Sequence, residues 1–236
     1  MSRLLVVFGA TGQQGGSVAN FVVSDPELSK QYKVRGVTRD PSKPAAQTLQ
    51  QKGVEVVKGD LNDERSIKQA LQGAHIAKSR EVRQGKAIAD EAVAAGAQYF
   101  IYSTESHAGK ISGGKYLVDA YDAKADLEQD FMQNFGGMLA PRPAGDGTYA
   151  IANIHTPEAK FPWLDVVDDT GKFVGAILAE PEKYEGKTMT GTLLWSLPPA
   201  AADSVEVVEW SAQLARGKLI TFEEYLTNTK NPLKLE

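Results

Sequence analysis

Residues 4–23 read LLVVFGATGQQGGSVANFVV. The apolar run from Leu4 to Phe8 has the length of a buried strand. Glycines follow at 9, 12 and 15, and Val18, Phe21 and Val22 then recur at helical spacing. Strand, glycine turn and helix in that order form the front half of a dinucleotide-binding βαβ unit. Gly9 permits the tight turn, Gly12 lets the backbone approach a pyrophosphate, and Gly15 lets the helix lie close on the strand. The N–H groups that open the helix then face an anion. The residues expected against a cofactor here are Gly9, Thr11, Gly12, Gln13, Gln14 and Gly15. The spacing is GxxGxxG, not the GxGxxG of long-chain dehydrogenases. A glycine triplet alone is a weak signal, and the flanking strand and amphipathic helix give it weight. The bland alternative is a glycine-rich turn without a ligand.

The chain has 236 residues, 42% of them hydrophobic, which suffices for one large domain or for a domain with a small lobe. It contains no cysteine, so disulfides, thiolate metal sites and a cysteine nucleophile are excluded. The net charge is −4, and no Lys/Arg cluster provides the footprint of a nucleic-acid binder. The apolar N-terminal run is too short for a signal peptide, and no stretch reaches membrane-spanning length. The expectation is a soluble intracellular protein without direct contacts to nucleic acid or membrane.

A second strand is expected within Gln31 to Thr38, anchored by Val34 and Val37. In this fold the residue at its end meets the adenosine ribose. An acidic residue there suits NAD, and a basic one suits the 2′-phosphate of NADP. The sequence here is Thr38, Arg39, Asp40, Pro41, Ser42, Lys43. Arg39 and Lys43 would clamp the phosphate, with Thr38 or Ser42 donating, so the expected cofactor is NADP(H). Asp40 starts the next turn. Two solvated surface cations are the plain alternative.

Val54 to Val57 reads as a short third strand, and Asn62 or Asp63 as the cap of a helix with Ile67, Ala70 and Leu71 turned inward. The phrase VVKGDLND marks the loop where an adenine ring usually rests, with Asp60 and Leu61 as candidates beside it. A helix cap and nothing more is the alternative. After Gly73 the alternation calls for a fourth strand, but only Ile76 and Ala77 are apolar before Lys78, Ser79 and Arg80. A helix over Glu81 to Ala95 follows, with Val82, Ile88, Ala89, Ala92 and Val93 apolar, and then a fifth strand, Tyr99 to Tyr102. A helix over Lys124 to Gln129 runs into Asp130 to Phe135 with no sixth strand between. A sheet without its fourth and sixth strands leaves helix faces uncovered. The expectation is therefore that segments are absent from this numbering, with Cα separations well above 3.8 Å between His75 and Glu81 and between Leu127 and Met132. A third interruption is expected between Thr192 and Ser204.

From Gly145 the texture changes. Thr148 to Ile154 is strand-like. Asp168-Asp169-Thr170 opens a helix with Phe173, Val174, Ile177 and Leu178 on its apolar face, stopped by Pro181. Lys187 to Leu194 reads as a strand. Thr221 and Glu224 form a capping box at the entry to a last helix. The fold class expected is α/β, a Rossmann-type doubly wound parallel sheet with a small α/β C-terminal lobe. Residues 1–140 form the NAD(P)-binding domain and 141–236 a lobe contributing to the cleft, whose last helix can return to the first domain.

With these phrases in place, the chain resembles the NmrA-like family, an atypical branch of the short-chain dehydrogenase/reductases. The matching phrases are VVFGATGQQGGSVA, VRGVTRDPSK, VEVVKGDLND, EVRQGKAIADEA, YFIYST, DAKADLE, FMQNF, DDTGKFVGAIL, PEKYEGK and ITFEEYL. The resemblance implies a Rossmann domain with a small second lobe and NADP(H) binding in a role that is often sensing rather than turnover. It also implies that Arg83 faces the cofactor, that Phe131, Met132, Gln133 and Asn134 line the nicotinamide end, and that Ser103 stands where dehydrogenases hold a substrate-polarising hydroxyl.

Typical short-chain dehydrogenases place a Tyr four residues before a Lys, on one helix face. Here the Lys is Lys124, the position four before it is Ala120, and Tyr121 is three before. A proton-donating Tyr is thus not expected, while Lys124 can still hydrogen-bond the nicotinamide ribose and is the one catalytic candidate. His75, His107 and His155 stand singly, so no metal site is expected.

Two functions are open at this point. One is a redox sensor or negative transcriptional regulator that binds NADP(H) and contacts a transcription factor or metabolic enzyme in the cytoplasm or nucleus. The other is an NADPH-dependent reductase of a small carbonyl or quinone. A homodimer is compatible with either.

Overall fold

The computed structural model describes residues 2–79, 82–103, 142–143, 149–150, 162–187, 189, 193–194, 209–221 and 224–225. Its centre is a five-stranded, all-parallel sheet in the order β3-β2-β1-β4-β5. The strands are β1 (Arg3–Phe8), β2 (Tyr32–Thr38), β3 (Glu55–Lys58), β4 (Ile76–Ser79) and β5 (Tyr99–Tyr102). Parallel neighbours need crossovers, and helices supply them. These are α1 (Gln13–Ser24), the single-turn α2 (Leu28–Gln31), α3 (Pro44–Gln51), α4 (Glu64–Ala70) and α5 (Val82–Ala94). The order reverses between β1 and β4, which is the switch point of a doubly wound sheet. The expected fold class is the one observed.

Alternation along β1 divides the core. Leu5 and Val7 face one side with Val18, Val22, Leu28, Val34 and Leu49. Val6 and Phe8 face the other with Val37, Ile67, Leu71, Ala77 and Ile88. Both faces are covered, so the strand is a continuous apolar run. Each fully buried Val or Leu in these clusters contributes about 1.5–3 kcal/mol of transfer free energy.

The fourth strand, expected to be missing, is present, and this corrects the sequence reading. Ile76–Ser79 pairs with β1 on one side and with β5 on the other. A strand held by two neighbours satisfies its backbone on both edges and needs few apolar side chains. Ile76 and Ala77 point to opposite faces and both are fully buried. The interruption expected after His75 is therefore not found through Ser79. The expected sixth strand, the separation between Leu127 and Met132 and the interruption near Thr192 to Ser204 lie outside the described residues or run into them.

Other expectations meet the structure at single residues. Asp63 caps α4, its carboxylate accepting from the Arg65 N–H at 3.0 Å. Gly96 ends α5 with φ +77°. Val93, counted on the apolar face of that helix, is instead 76% exposed. Thr221 and Glu224 form the capping box, with reciprocal bonds of 3.0 and 3.1 Å.

In the second half, β6 (Arg142–Pro143) pairs antiparallel with β7 (Tyr149–Ala150), and β8 (Pro162–Trp163) with β9 (Leu193–Leu194). Helix α6 (Thr170–Ala179) packs directly on α1, with Val174 and Leu178 joining the core cluster of the sheet. Pro181 does stop α6, and it also opens the single turn α7 (Pro181–Tyr184). Glycine on α6 allows the close approach: a Cβ on Gly171 would lie 2.7 Å from the Ser17 carbonyl oxygen. The Gly171 N–H donates to the Ser17 hydroxyl at 2.8 Å across the same contact. Arg216 closes over this layer, donating to both carboxylate oxygens of Asp25 and to Glu27. No described helix is long and apolar enough to cross a membrane.

Candidate functional site

The site is built at the carboxyl ends of β1, β2 and β3, beside the switch point. Gly9 leaves β1 with φ +66°, a conformation that side chains with a Cβ rarely adopt. The Gly12 N–H then donates to the Gly9 carbonyl at 2.9 Å, closing the turn. Gly12 is the N-cap of α1 and supplies no side-chain cap. A Cβ on Gly15 would stand 2.3 Å from the Gly9 oxygen, so the helix start lies against the turn only because Gly15 has none. The tasks expected of Gly9 and Gly15 are those their geometry performs.

An α-helix start leaves backbone N–H groups without helical partners, and the helix dipole places partial positive charge there. At α1 no acidic residue occupies the first turn and no side chain caps it. Gln14 lies in this turn, buried to 3% exposure, and among the described residues its Oε1 has no hydrogen-bond partner. A buried polar atom left without a partner costs about 1–3 kcal/mol. Thr11, in the turn, shares a hydrogen bond of 3.2 Å with the Thr38 hydroxyl at the end of β2.

The β2 end continues the site. The Ala10 N–H donates to the Val37 carbonyl at 3.2 Å, locking the glycine turn to this strand. Arg39 and Lys43 are both exposed, and neither forms an ion pair among the described residues. Asp40 lies between them and is turned inward on its own loop. It accepts from the Ser42 N–H at 3.0 Å and from the Ser42 hydroxyl at 2.6 Å. These bonds, with smaller pulls from Lys43 and Lys58, hold its carboxyl below the usual range. Asp40 therefore does start the next turn. Both hydroxyls proposed as donors, Thr38 and Ser42, already have partners.

At the end of β3 the Gly59 N–H donates to the Thr38 carbonyl at 2.9 Å. Asp60 accepts from the Asn62 N–H at 2.9 Å, and Leu61 packs partly buried against the core cluster. Ser103 lies half-buried just beyond β5. The structure thus brings together Gly9, Thr11, Gly12, Gln13, Gln14, Gly15, Arg39, Lys43, Asp60 and Leu61 along three adjacent strand ends. Arg83 is on α5, with its backbone alone described. Lys124, Tyr121, Phe131, Met132, Gln133 and Asn134 lie outside the described residues. Lys58, absent from the expected set, stands at the same edge. Its signal was the pairing of β3 with β2, which spacing alone does not reveal.

The sheet order and the glycine turn define a Rossmann-type domain of the doubly wound class. The sequence pattern of the NmrA-like family matches residues 1–131, and the chain belongs to that family. It is similar to the NmrA-like family domain-containing oxidoreductase FrzB of a Cladobotryum species, 29% identical over 81% of this chain and 69% of that protein. It is also similar to the oxidoreductase malD of Malbranchea aurantiaca, 29% identical over 92% of this chain and 76% of that one. The malD alignment runs over 262 positions, more than this chain's 236, so malD has internal residues with no counterpart here. Among solved structures, the negative transcriptional regulator NmrA in complex with NADP matches the fold with a TM-score of 0.67. It is 20% identical, over 89% of this chain and 81% of that one. The same regulator in complex with NAD gives the same TM-score of 0.67.

Proposed function

We propose that the chain binds NADP(H) across the ends of β1, β2 and β3 and that binding alters its affinity for a partner protein. The observation that carries the reading is the uncapped start of α1, with the Gln14 Oε1, unpartnered among the described residues, beside it. The residues present fit a dinucleotide. The first-turn N–H groups would take the pyrophosphate, and Arg39 and Lys43 the phosphate on the adenosine ribose. Lys124 would hold the nicotinamide ribose, and Arg83 with Phe131 to Asn134 would line the nicotinamide end. When bound, the cofactor supplies a hydride donor or acceptor; this chain's residues orient it.

The partner in this reading is a transcription factor or a metabolic enzyme, met in the cytoplasm or nucleus, and the role is that of a redox sensor or negative regulator. The sequence spacing supports it: Tyr121 stands three residues before Lys124, not four, and on a helix one residue is a turn of about 100°, which would carry the phenol away from the place of the usual proton donor. A second reading, an NADPH-dependent reductase of small carbonyls or quinones, is supported by the oxidoreductase names of the FrzB and malD relatives. NADPH oxidation with a quinone panel separates the two. Absence of turnover together with tight NADPH binding supports the sensor, and turnover that is lost in Tyr121→Phe with binding intact overturns it.

A further inference from the structure

We propose that Lys58 is a specificity-determining residue, the third cation of a site for a phosphomonoester on the adenosine ribose. The proposal rests on the dinucleotide reading above and adds to it a residue from a different strand.

The register places it. Thr38 and Lys58 are paired across β2 and β3, about 4.8 Å apart as neighbouring strands are. Paired residues share a face of the sheet, and Thr38 uses that face to reach Thr11 in the glycine turn. The Gly59 N–H bonds the Thr38 carbonyl, so the backbone holding Lys58 is fixed to the backbone that presents Arg39. Lys43 is the N-cap of α3, a helix that packs on β3. Arg39, Lys43 and Lys58 thus start from just past the end of β2, the start of α3 and the end of β3. All three are exposed, and among the described residues none forms an ion pair. The acid between them, Asp40, is held in its own turn by Ser42 and feels the charge of both lysines.

Two lysines acting on one carboxylate, with the exposed Arg39 next to it in the chain, leave an excess of positive charge at this edge. A phosphomonoester carries a charge of about −1.5 to −2 at neutral pH and complements that excess, whereas a ribose hydroxyl does not. Lysine reads such a group as a point charge, and arginine as a planar fork. Lys58 therefore raises affinity for a 2′-phosphorylated nucleotide and leaves the unphosphorylated one unaffected.

The test uses the full chain titrated calorimetrically with adenosine 2′,5′-bisphosphate and with 5′-AMP, for wild type, Lys58→Gln and Lys58→Arg. The expected result is an affinity for the bisphosphate lowered about ten-fold in Lys58→Gln, with 5′-AMP unchanged and Lys58→Arg near wild type. The slope of affinity against salt concentration should also fall in Lys58→Gln. Because the side chain is exposed, unchanged thermal unfolding serves as the folding control. A Lys58→Gln variant that binds the bisphosphate as wild type does, or that loses both nucleotides equally, overturns the role of Lys58. If the same titrations show a bisphosphate preference that Arg39→Ala removes, the dinucleotide reading survives that loss. If the wild type binds neither nucleotide nor NADPH, both fall.

Discussion

Gly15 and Gly16 are adjacent in sequence and differ sharply in what an added methyl group meets. On Gly15 a Cβ would lie 2.3 Å from the Gly9 oxygen, 2.7 Å from the Gly9 carbonyl carbon and 3.0 Å from the Ala10 nitrogen, all backbone atoms. On Gly16 the nearest atom would be the Ala10 oxygen at 3.3 Å. Relief at Gly15 requires α1 to withdraw from the turn. Two residues further along, about 200° round the helix, Ser17 is pressed by Gly171 of α6, so withdrawal is blocked from behind. Overpacking of this kind costs about 1–3 kcal/mol, and rigid atoms on both sides place Gly15→Ala at the upper end. Against it stands the gain of about 1 kcal/mol for Ala over Gly in a helix. The net expectation is a loss of about 2 kcal/mol for Gly15→Ala and a change near zero, or a small gain, for Gly16→Ala. In a chain of this size 2 kcal/mol corresponds to a fall of roughly 4–8 °C in Tm. Thermal unfolding by circular dichroism measures it. NADPH affinity should fall with Gly15→Ala and hold with Gly16→Ala, since only the first displaces the helix start. Equal effects of the two substitutions would refute the argument that the turn and α6 trap α1 between them.

Other outcomes follow from the second half of the chain. Asp25 is held down to about 2, chiefly by the Arg216 guanidinium, so its stabilisation is full above the unfolded value of 3.8 and is lost as pH falls through about 2. Arg216→Ala should therefore cost about 1–2 kcal/mol in urea unfolding at pH 7, with the gap to wild type closing toward pH 2; a gap independent of pH contradicts the assignment. Asp169 behaves in the opposite sense. Burial pushes its carboxyl up to about 6 despite Lys172, whose Nζ lies 2.7 Å away. Its contribution is present below 3.8 and is lost as pH rises through about 6. Asp169→Asn should flatten that part of the stability profile, which in wild type amounts to about 2–3 kcal/mol.

The parts of the fold legible in the sequence were those fixed by local rules. The glycine turn, the Asp63 cap and the Thr221–Glu224 box each depend on residues within a few positions of one another. The fourth strand is not legible in the sequence because its two buried residues, Ile76 and Ala77, draw their stability from β1 and β5, which are not adjacent to it in the chain. The exposure of Val93 escapes the sequence for a related reason: helical spacing gives a face its width, and the packing of α5 decides where the face ends. The candidate site divides in the same way. Arg39 and Lys43 follow β2 directly and could be found by counting. Lys58 is brought beside the end of β2 by strand pairing with Thr38, which counting does not reveal. The contact of Gly171 with Ser17 joins residues 154 positions apart, so nothing near either residue announces it.

The central claim, a dinucleotide site with a phosphate clamp at the end of β2, is tested most directly by calorimetric titration of wild type and Arg39→Ala with NADPH and NADH at one fixed ionic strength. A charge-assisted contact is worth about 1.5–3 kcal/mol. The account predicts that wild type binds NADPH more tightly than NADH, and that Arg39→Ala weakens NADPH by about ten-fold or more while leaving NADH nearly unchanged. Equal loss for both cofactors, or no binding of either by the wild type, would contradict it.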